Sequence, residues 1–327
     1  MRVLVTGSSG HLGEALVRVL GGEGFDVVGL DILPSPHTDI VGSIEDRDVV
    51  HAAMAGVEAV LHSATLHKPH VGTHSRRHFV ATNVAGTLNL LEEAVEAEVA
   101  AFVFTSTTSV YGRALTPAPG APATWIDEAT APIPRNIYGV TKKAAEDLVE
   151  LFQFQHGLPS LVLRTSRFFP EPDDQAETRE AFTDANVKVN ELLYRRVDLQ
   201  DVADAHLAAL RRCGSVGFER LVISATTPFQ RGDLAELATD APAVLRRLYP
   251  GCEDLYERLG WRLFDRIERV YVNARARHLL GWSPVYDFGH ALRRLQDGEA
   301  PWSPLTATIG VKGYHAVPTF PYTGPRS

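Results

Sequence analysis

Short apolar runs alternate along this chain with longer amphipathic stretches. Residues 2–5, 26–30, 59–62, 101–105 and 160–164 are continuous enough in apolar character to predict strands covered on both faces. Between the first two, Leu12, Ala15, Leu16, Val19 and Leu20 recur at the i, i+3, i+4 spacing of a helix laid on a sheet. Stretches at about 76–98 and 135–156 predict long helices that carry more apolar positions than one face needs. This alternation predicts an α/β fold with a doubly wound parallel sheet. The expected division is 1–165, with 198–224 returning to it, as the sheet domain, and 166–197 with 225–327 as a smaller lobe and tail. Proline-rich 116–134 and the stretch 169–178 read as linkers.

The chain has 327 residues and 45% hydrophobic content, enough to bury a full core. A formal charge of −8 gives no general electrostatic reason to bind nucleic acid or an anionic membrane, so any phosphate recognition must be local. Cys213 and Cys252 are the only cysteines, without disulfide or metal-ligand spacing, which suits a reducing cytoplasm. The chain starts directly as a strand, with neither the pattern of a signal peptide nor a spanning apolar segment, so a cytoplasmic location is expected.

Two motifs carry chemistry. In Thr6-Gly7-Ser8-Ser9-Gly10-His11-Leu12-Gly13, the three glycines follow the first strand and open the first helix. They permit a tight turn, close approach of a pyrophosphate and close helix packing, while the helix N-terminus offers amides to phosphate. Ser9, His11 and Leu12 complete that loop. Asp31, at the end of the second strand, can accept both adenosine ribose hydroxyls and would repel a 2′-phosphate, favouring NAD over NADP. The second motif is Tyr138-Gly139-Val140-Thr141-Lys142. Spaced four apart, Tyr138 and Lys142 share one helix face. A phenol ionises near about pH 10 in water, so its use as a base near neutrality calls for adjacent positive charge, which Lys142 can supply.

These motifs, in this order and around the hydroxyl-rich stretch 105–112, resemble the extended short-chain dehydrogenase/reductase family, especially its NAD-dependent epimerase/dehydratase branch acting on nucleotide sugars. The resemblance covers about the first half of the chain, returns faintly at 279–284 and fails between Glu171 and Tyr194. It implies a Rossmann-type sheet, NAD as cofactor, and Thr107, Tyr138 and Lys142 as catalytic residues. Ser63, Ala64, Asn83, Thr105 and Ser166 match cofactor positions, and His67 falls where epimerases often place a lysine against the nicotinamide ribose. Ser43-Ile44 stands where the family usually carries Asp and an apolar residue beside adenine. The long helices of the family pair across a dimer, which implies a homodimer here.

Thr108-Ser109 occupies the place where sugar-nucleotide 4,6-dehydratases usually have Asp-Glu, so dehydration lacks its acid/base pair. Asp127 and Glu128 read as a solvated acidic loop. Arg167 replaces the family's asparagine after the strand ending at Arg164 and is expected to bind an anionic group in the substrate cavity. Arg195, Arg266 and Arg269 are further candidates, with Thr107 and Thr108 at the substrate hydroxyl. The compressed stretch 171–194 fits either a smaller substrate or a diphosphate held differently.

Epimerisation of a sugar or sugar nucleotide with bound NAD, net dehydrogenation of a small sugar, polyol or hydroxy compound, and a non-catalytic NAD-binding scaffold or sensor remain the competing readings. His62, His67, His70, His74 and His78 lack a carboxylate or cysteine to complete a metal site, and no metal is expected. In the tail 301–327, Tyr314, Phe320 and Tyr322 favour wrapping onto the lobe or a partner subunit.

Overall fold

The computed structural model describes residues 1–313. Seven parallel strands form one sheet in the order β3-β2-β1-β4-β5-β7-β8. They are β1 (Arg2–Thr6), β2 (Asp26–Asp31), β3 (Ile40–Val41), β4 (Ala59–His62), β5 (Ala101–Thr107), β7 (Ser160–Thr165) and β8 (Phe218–Ile223). This is the Rossmann-type arrangement. Strand periodicity decides which layer each side chain joins. In β1, Val3 and Val5 pack with Leu12, Leu16 and Leu20 of the first helix and with helix Leu199–Val216. Leu4 points to the opposite layer, with Val60, Phe102, Leu90, Leu91 and Val149. A third cluster, including Leu193, Phe229, Leu245, Tyr256 and Phe288, forms the core of the later segments.

Two short strands, β6 (Thr124–Ile126) and β9 (Arg269–Tyr271), pair in parallel outside the main sheet. The stretch 116–134 is therefore not a simple linker. Their three-residue length gave no usable periodicity in the sequence.

The helix expected over 76–98 is interrupted: Arg76–Val80 leads through a π-helical turn, Ala81–Ala85, into Gly86–Glu96. The wide turn carries Asn83, whose Oδ1 accepts from Leu66 N (2.8 Å) and Thr65 Oγ1 (2.9 Å) and whose Nδ2 donates to Leu66 O (2.9 Å) and Thr141 Oγ1 (3.1 Å). Such insertions re-aim a side chain. The later helix runs Ile137–His156, because Asn136 Oδ1 caps Gly139 N at 3.0 Å and Gly157 ends it in the left-handed region.

His62 is buried between Thr6 Oγ1 (2.8 Å) and Thr87 Oγ1 (3.0 Å), and burial holds its pKa well below the usual value. It is a neutral core histidine. No group of three or more His, Cys, Asp or Glu side chains suited to a metal occurs among the described residues. None of the helices in that range is long and apolar enough to cross a membrane. Ser303 caps helix Pro304–Ile309, which packs through Ile309 into the first core cluster. Tyr314, Phe320 and Tyr322 lie outside the described residues.

Candidate active site

A cavity of about 360 Å³ opens at the carboxyl edge of the sheet. At one end the glycine loop turns through Gly10 N to Gly7 O at 3.0 Å, and the first helix begins at His11 with its amides directed at the cavity. Gly7 has φ +73°, and a Cβ on Gly13 would stand 1.8 Å from Gly7 O. The backbone occupies the space that a side chain needs, leaving a cradle open to a pyrophosphate. His11 and Leu12 line the cavity, whereas the Ser9 side chain does not: Ser9 serves through its N–H, which donates to Asp31 Oδ2 at 3.0 Å. Leu33 N donates to Asp31 Oδ1 at 2.9 Å, so the carboxylate at the end of β2 is held from both sides. Ser43 and Ile44 lie at the same end.

Ser63, Ala64 and His67 line the cavity after β4, with Ser63 Oγ donating to Thr6 O at 2.7 Å. Thr105 faces it from β5 and donates to His206 Nε2 at 2.8 Å. That direction follows because His206 Nδ1 meets the Val202 carbonyl at 2.8 Å and burial pushes the imidazole pKa down to about 4. Ser166 also lines the cavity, and its buried Oγ has no hydrogen-bond partner among the described residues. An orphaned hydroxyl at this edge fits a polar cofactor group. Asn83 corrects the expectation that it lines the cofactor. Its amide is consumed inside the protein, pinning the 65–66 loop to the catalytic helix.

Asp31→Ala is expected to weaken NAD binding and narrow its advantage over NADP, because the ribose acceptor and the repulsion of a 2′-phosphate disappear together. Titration with both cofactors checks this. An unchanged preference would place discrimination elsewhere.

At the centre, Thr107 ends β5 and Tyr138 stands in the first turn of helix Ile137–His156. The Thr107 hydroxyl stands beside the Tyr138 phenol and favours its ionised form. Burial pushes the phenol pKa up to about 12, with the Thr107 hydroxyl opposing. Lys142 lies one turn on, beneath the cavity wall, with Nζ 3.9 Å from the Phe104 ring centroid. Burial pushes its pKa down to about 7 against the pull of Glu146. Desolvation thus dominates both groups, whereas the sequence suggested that Lys142 would draw the phenol down. Glu146, fully buried, accepts from Ser106 Oγ (2.5 Å) and pairs with Arg164 (2.7 Å), fastening the catalytic helix to β5 and β7. Thr108 lines the cavity; Asp127 and Glu128 do not. Glu128 Oε1 instead accepts from Val222 N at 2.9 Å.

The far wall is formed by arginines. Arg167 lines the cavity as expected, yet its guanidinium is engaged by Asp173 (3.0 Å) and the Pro172 carbonyl (3.1 Å). Arg195 bonds Glu191 (2.5 Å) and Asp173 (3.2 Å). Burial would raise the Glu191 pKa, but Arg196, Arg195 and Arg167 together draw it down to about 2. Arg269, on β9, lines the cavity with no ion pair among the described residues, and its Nε is buried without a hydrogen-bond partner. Arg266 is exposed and outside the cavity, so it leaves the candidate set. Phe169, Asp174 and Tyr271 also line the cavity. They were not recognised in the sequence because no local motif marks them.

A family model described as the NAD dependent epimerase/dehydratase family matches residues 3–223. The chain belongs to this family. This family member uses NAD, as the glycine cradle, Asp31 and the family model together require. It is 27% identical over 324 residues to a UDP-glucose 4-epimerase of Rhizobium meliloti, covering 87% of this chain and 93% of that one. It is 28% identical over 337 residues to a 3 beta-hydroxysteroid dehydrogenase/Delta 5-->4-isomerase of Mycobacterium tuberculosis, covering 89% and 88%. Among solved structures, a UDP-glucose 4-epimerase from Thermotoga maritima with UDP-glucose matches at TM-score 0.62 and 23% identity, over 87% of this chain and 94% of that chain. A short-chain dehydrogenase/reductase superfamily protein from Agrobacterium tumefaciens with bound NAD matches at 0.65 and 24%, over 91% and 96%. These structural likenesses establish the shared fold.

Proposed function

We propose that this enzyme is an NAD-dependent epimerase of a sugar or sugar nucleotide, acting through a transient ketone. The observation that carries this reading is the buried Thr107–Tyr138 hydroxyl pair, with Lys142 one turn on and hydroxyls rather than carboxylates at Thr108 and Ser109. Bound NAD supplies the hydride acceptor and, once reduced, the donor. Tyr138 takes the proton of a substrate hydroxyl during oxidation and returns it during reduction, while Thr107 holds the same oxygen. Lys142 is the residue that would hold the nicotinamide ribose, although here Nζ packs on Phe104 beneath the cavity wall and would have to turn toward the cavity to do so. Water loss would need an acid and a base at adjacent carbons, and the Asp127 and Glu128 carboxylates are engaged elsewhere.

Arg269, without a carboxylate of its own among the described residues, suits a phosphate-bearing substrate. This supports a sugar nucleotide. A second reading, a dehydrogenase of a small hydroxy compound, is favoured by the pairing of Arg167 and Arg195 with Asp173 and Glu191, which leaves that wall less free to bind a large anion. Incubation with UDP-glucose and no added NAD separates the two. Formation of the C4 epimer without NADH accumulation is expected. NADH accumulating with a simple hydroxy substrate would replace this reading with the second, and bound NAD without either turnover would leave a scaffold.

A second copy of the chain is the partner that suits the catalytic helix. Val140, Leu151 and Phe154 are exposed there by 50%, 40% and 83%. They fall within about 60° of one another around an α-helix, on a face they share with Asp147, which is paired with Lys143 and Arg220. Phe154→Glu is expected to convert a dimer to a monomer in light scattering; a wild-type monomer would defeat this assembly.

A further inference from the structure

The stretch after β7, where the resemblance to the family fails, crosses the cofactor end of the cavity and is tied to it on several sides. Phe169 stacks on His67, with ring centroids 5.1 Å apart and planes at 22°, and meets His11 edge-on at 5.5 Å. Glu171 Oε1 lies 2.7 Å from His11 Nε2. The same oxygen accepts the backbone N–H groups of Lys312 (3.2 Å) and Gly313 (3.1 Å). Lys312 in turn donates from Nζ to Ser9 O in the glycine loop at 2.6 Å and pairs with Glu14 of the first helix at 2.6 Å. Farther along, Asp174 meets Lys68 at 3.0 Å across the cavity mouth. The base of the C-terminal strap is fixed by Asp198, which accepts from Ser303 N (3.1 Å) and Thr306 Oγ1 (3.0 Å).

Segments far apart in sequence therefore meet at one buried carboxylate beside the glycine loop. Burial opposes ionisation of Glu171, but His11 and the backbone N–H groups hold its pKa below the usual carboxylate range. A charged, hydrogen-bonded carboxylate at such a junction makes its parts separate together.

We propose that residues 169–174 and 310–313 form a latch beside the glycine loop at the cofactor end of the cavity, joined at Glu171, that slows release of NAD and NADH. The benefit of retention rests on the epimerase reading, since an enzyme that returns hydride to its own ketone must keep the reduced cofactor through the cycle. Opening requires the His11–Glu171 contact, the two backbone hydrogen bonds from the strap and the Lys312 contacts to give way. Lys312 and Glu171 carry opposite charges beside the site for an anionic pyrophosphate. A purely electrostatic role would make Lys312→Met loosen the cofactor and Glu171→Ala tighten it. The latch makes both loosen it.

The test loads full-length protein with NADH, chases it with excess NAD and follows the loss of bound-NADH fluorescence. Glu171→Ala and Lys312→Met are each expected to speed release by about a decade, the scale of one lost charge-assisted hydrogen bond. The double variant is expected to fall short of the product of the two effects, because both substitutions break one junction. Lys312 is partly exposed at the end of the described chain, so Lys312→Met reports even if Glu171→Ala fails to fold. Opposite changes in the two variants, or wild-type release rates in a folded Lys312→Met, would overturn the latch. Loss of the epimerase reading is seen separately, as NADH accumulating during substrate turnover, while these release rates still decide the latch.

Discussion

Replacing Tyr138 by phenylalanine is expected to lower turnover by about two to four decades, the scale of a lost general acid/base. The substitution removes a hydroxyl and little volume, so packing around this buried ring is preserved. It removes the phenol that the neighbouring Thr107 hydroxyl favours in its ionised form against the effect of burial. Folding and NAD affinity are expected to change little, because the cofactor cradle is built by the glycine loop and Asp31 at the other end of the cavity. The measurement is kcat with separately titrated NAD affinity. Near-wild-type kcat would remove Tyr138 from proton transfer.

Gly13→Ala is expected to reduce NAD affinity by about two decades or more, the scale of losing several hydrogen bonds to a charged group. A Cβ at Gly13 would lie 1.8 Å from Gly7 O, 2.5 Å from Gly7 C and 2.7 Å from Ser8 Cα. All three are backbone atoms, so no side-chain rotation relieves the collision and the loop itself must move away from the first helix. Gly10→Ala is expected to lose affinity for a different reason: its added Cβ would meet Gly7 O at 3.2 Å, which a small shift accommodates, but it lines the cavity where the pyrophosphate approaches. Calorimetric titration of NAD into both variants checks this, and wild-type affinities would show that the pyrophosphate does not depend on this cradle.

The sheet and the catalytic frame were legible in the sequence because both are written in local periodicities. Val3, Leu4 and Val5 alternate between layers because a strand repeats every second residue, and Tyr138 and Lys142 share a face because a helix brings back every fourth. The glycine loop was legible because backbone crowding selects glycine at a fixed distance after a strand. Ionisation was not legible. Tyr138 moves up and Lys142 down because the folded chain removes water from both, and desolvation is a property of everything packed around a group.

The role of Asn83 depended on a π-helical turn that no spacing announced, and the pairing of Arg167 depended on where Asp173 came to lie. Only the tertiary structure brought Glu171 to His11 and Lys312, residues separated by well over a hundred positions. Charges interact through space, and the chain path decides which of them become neighbours.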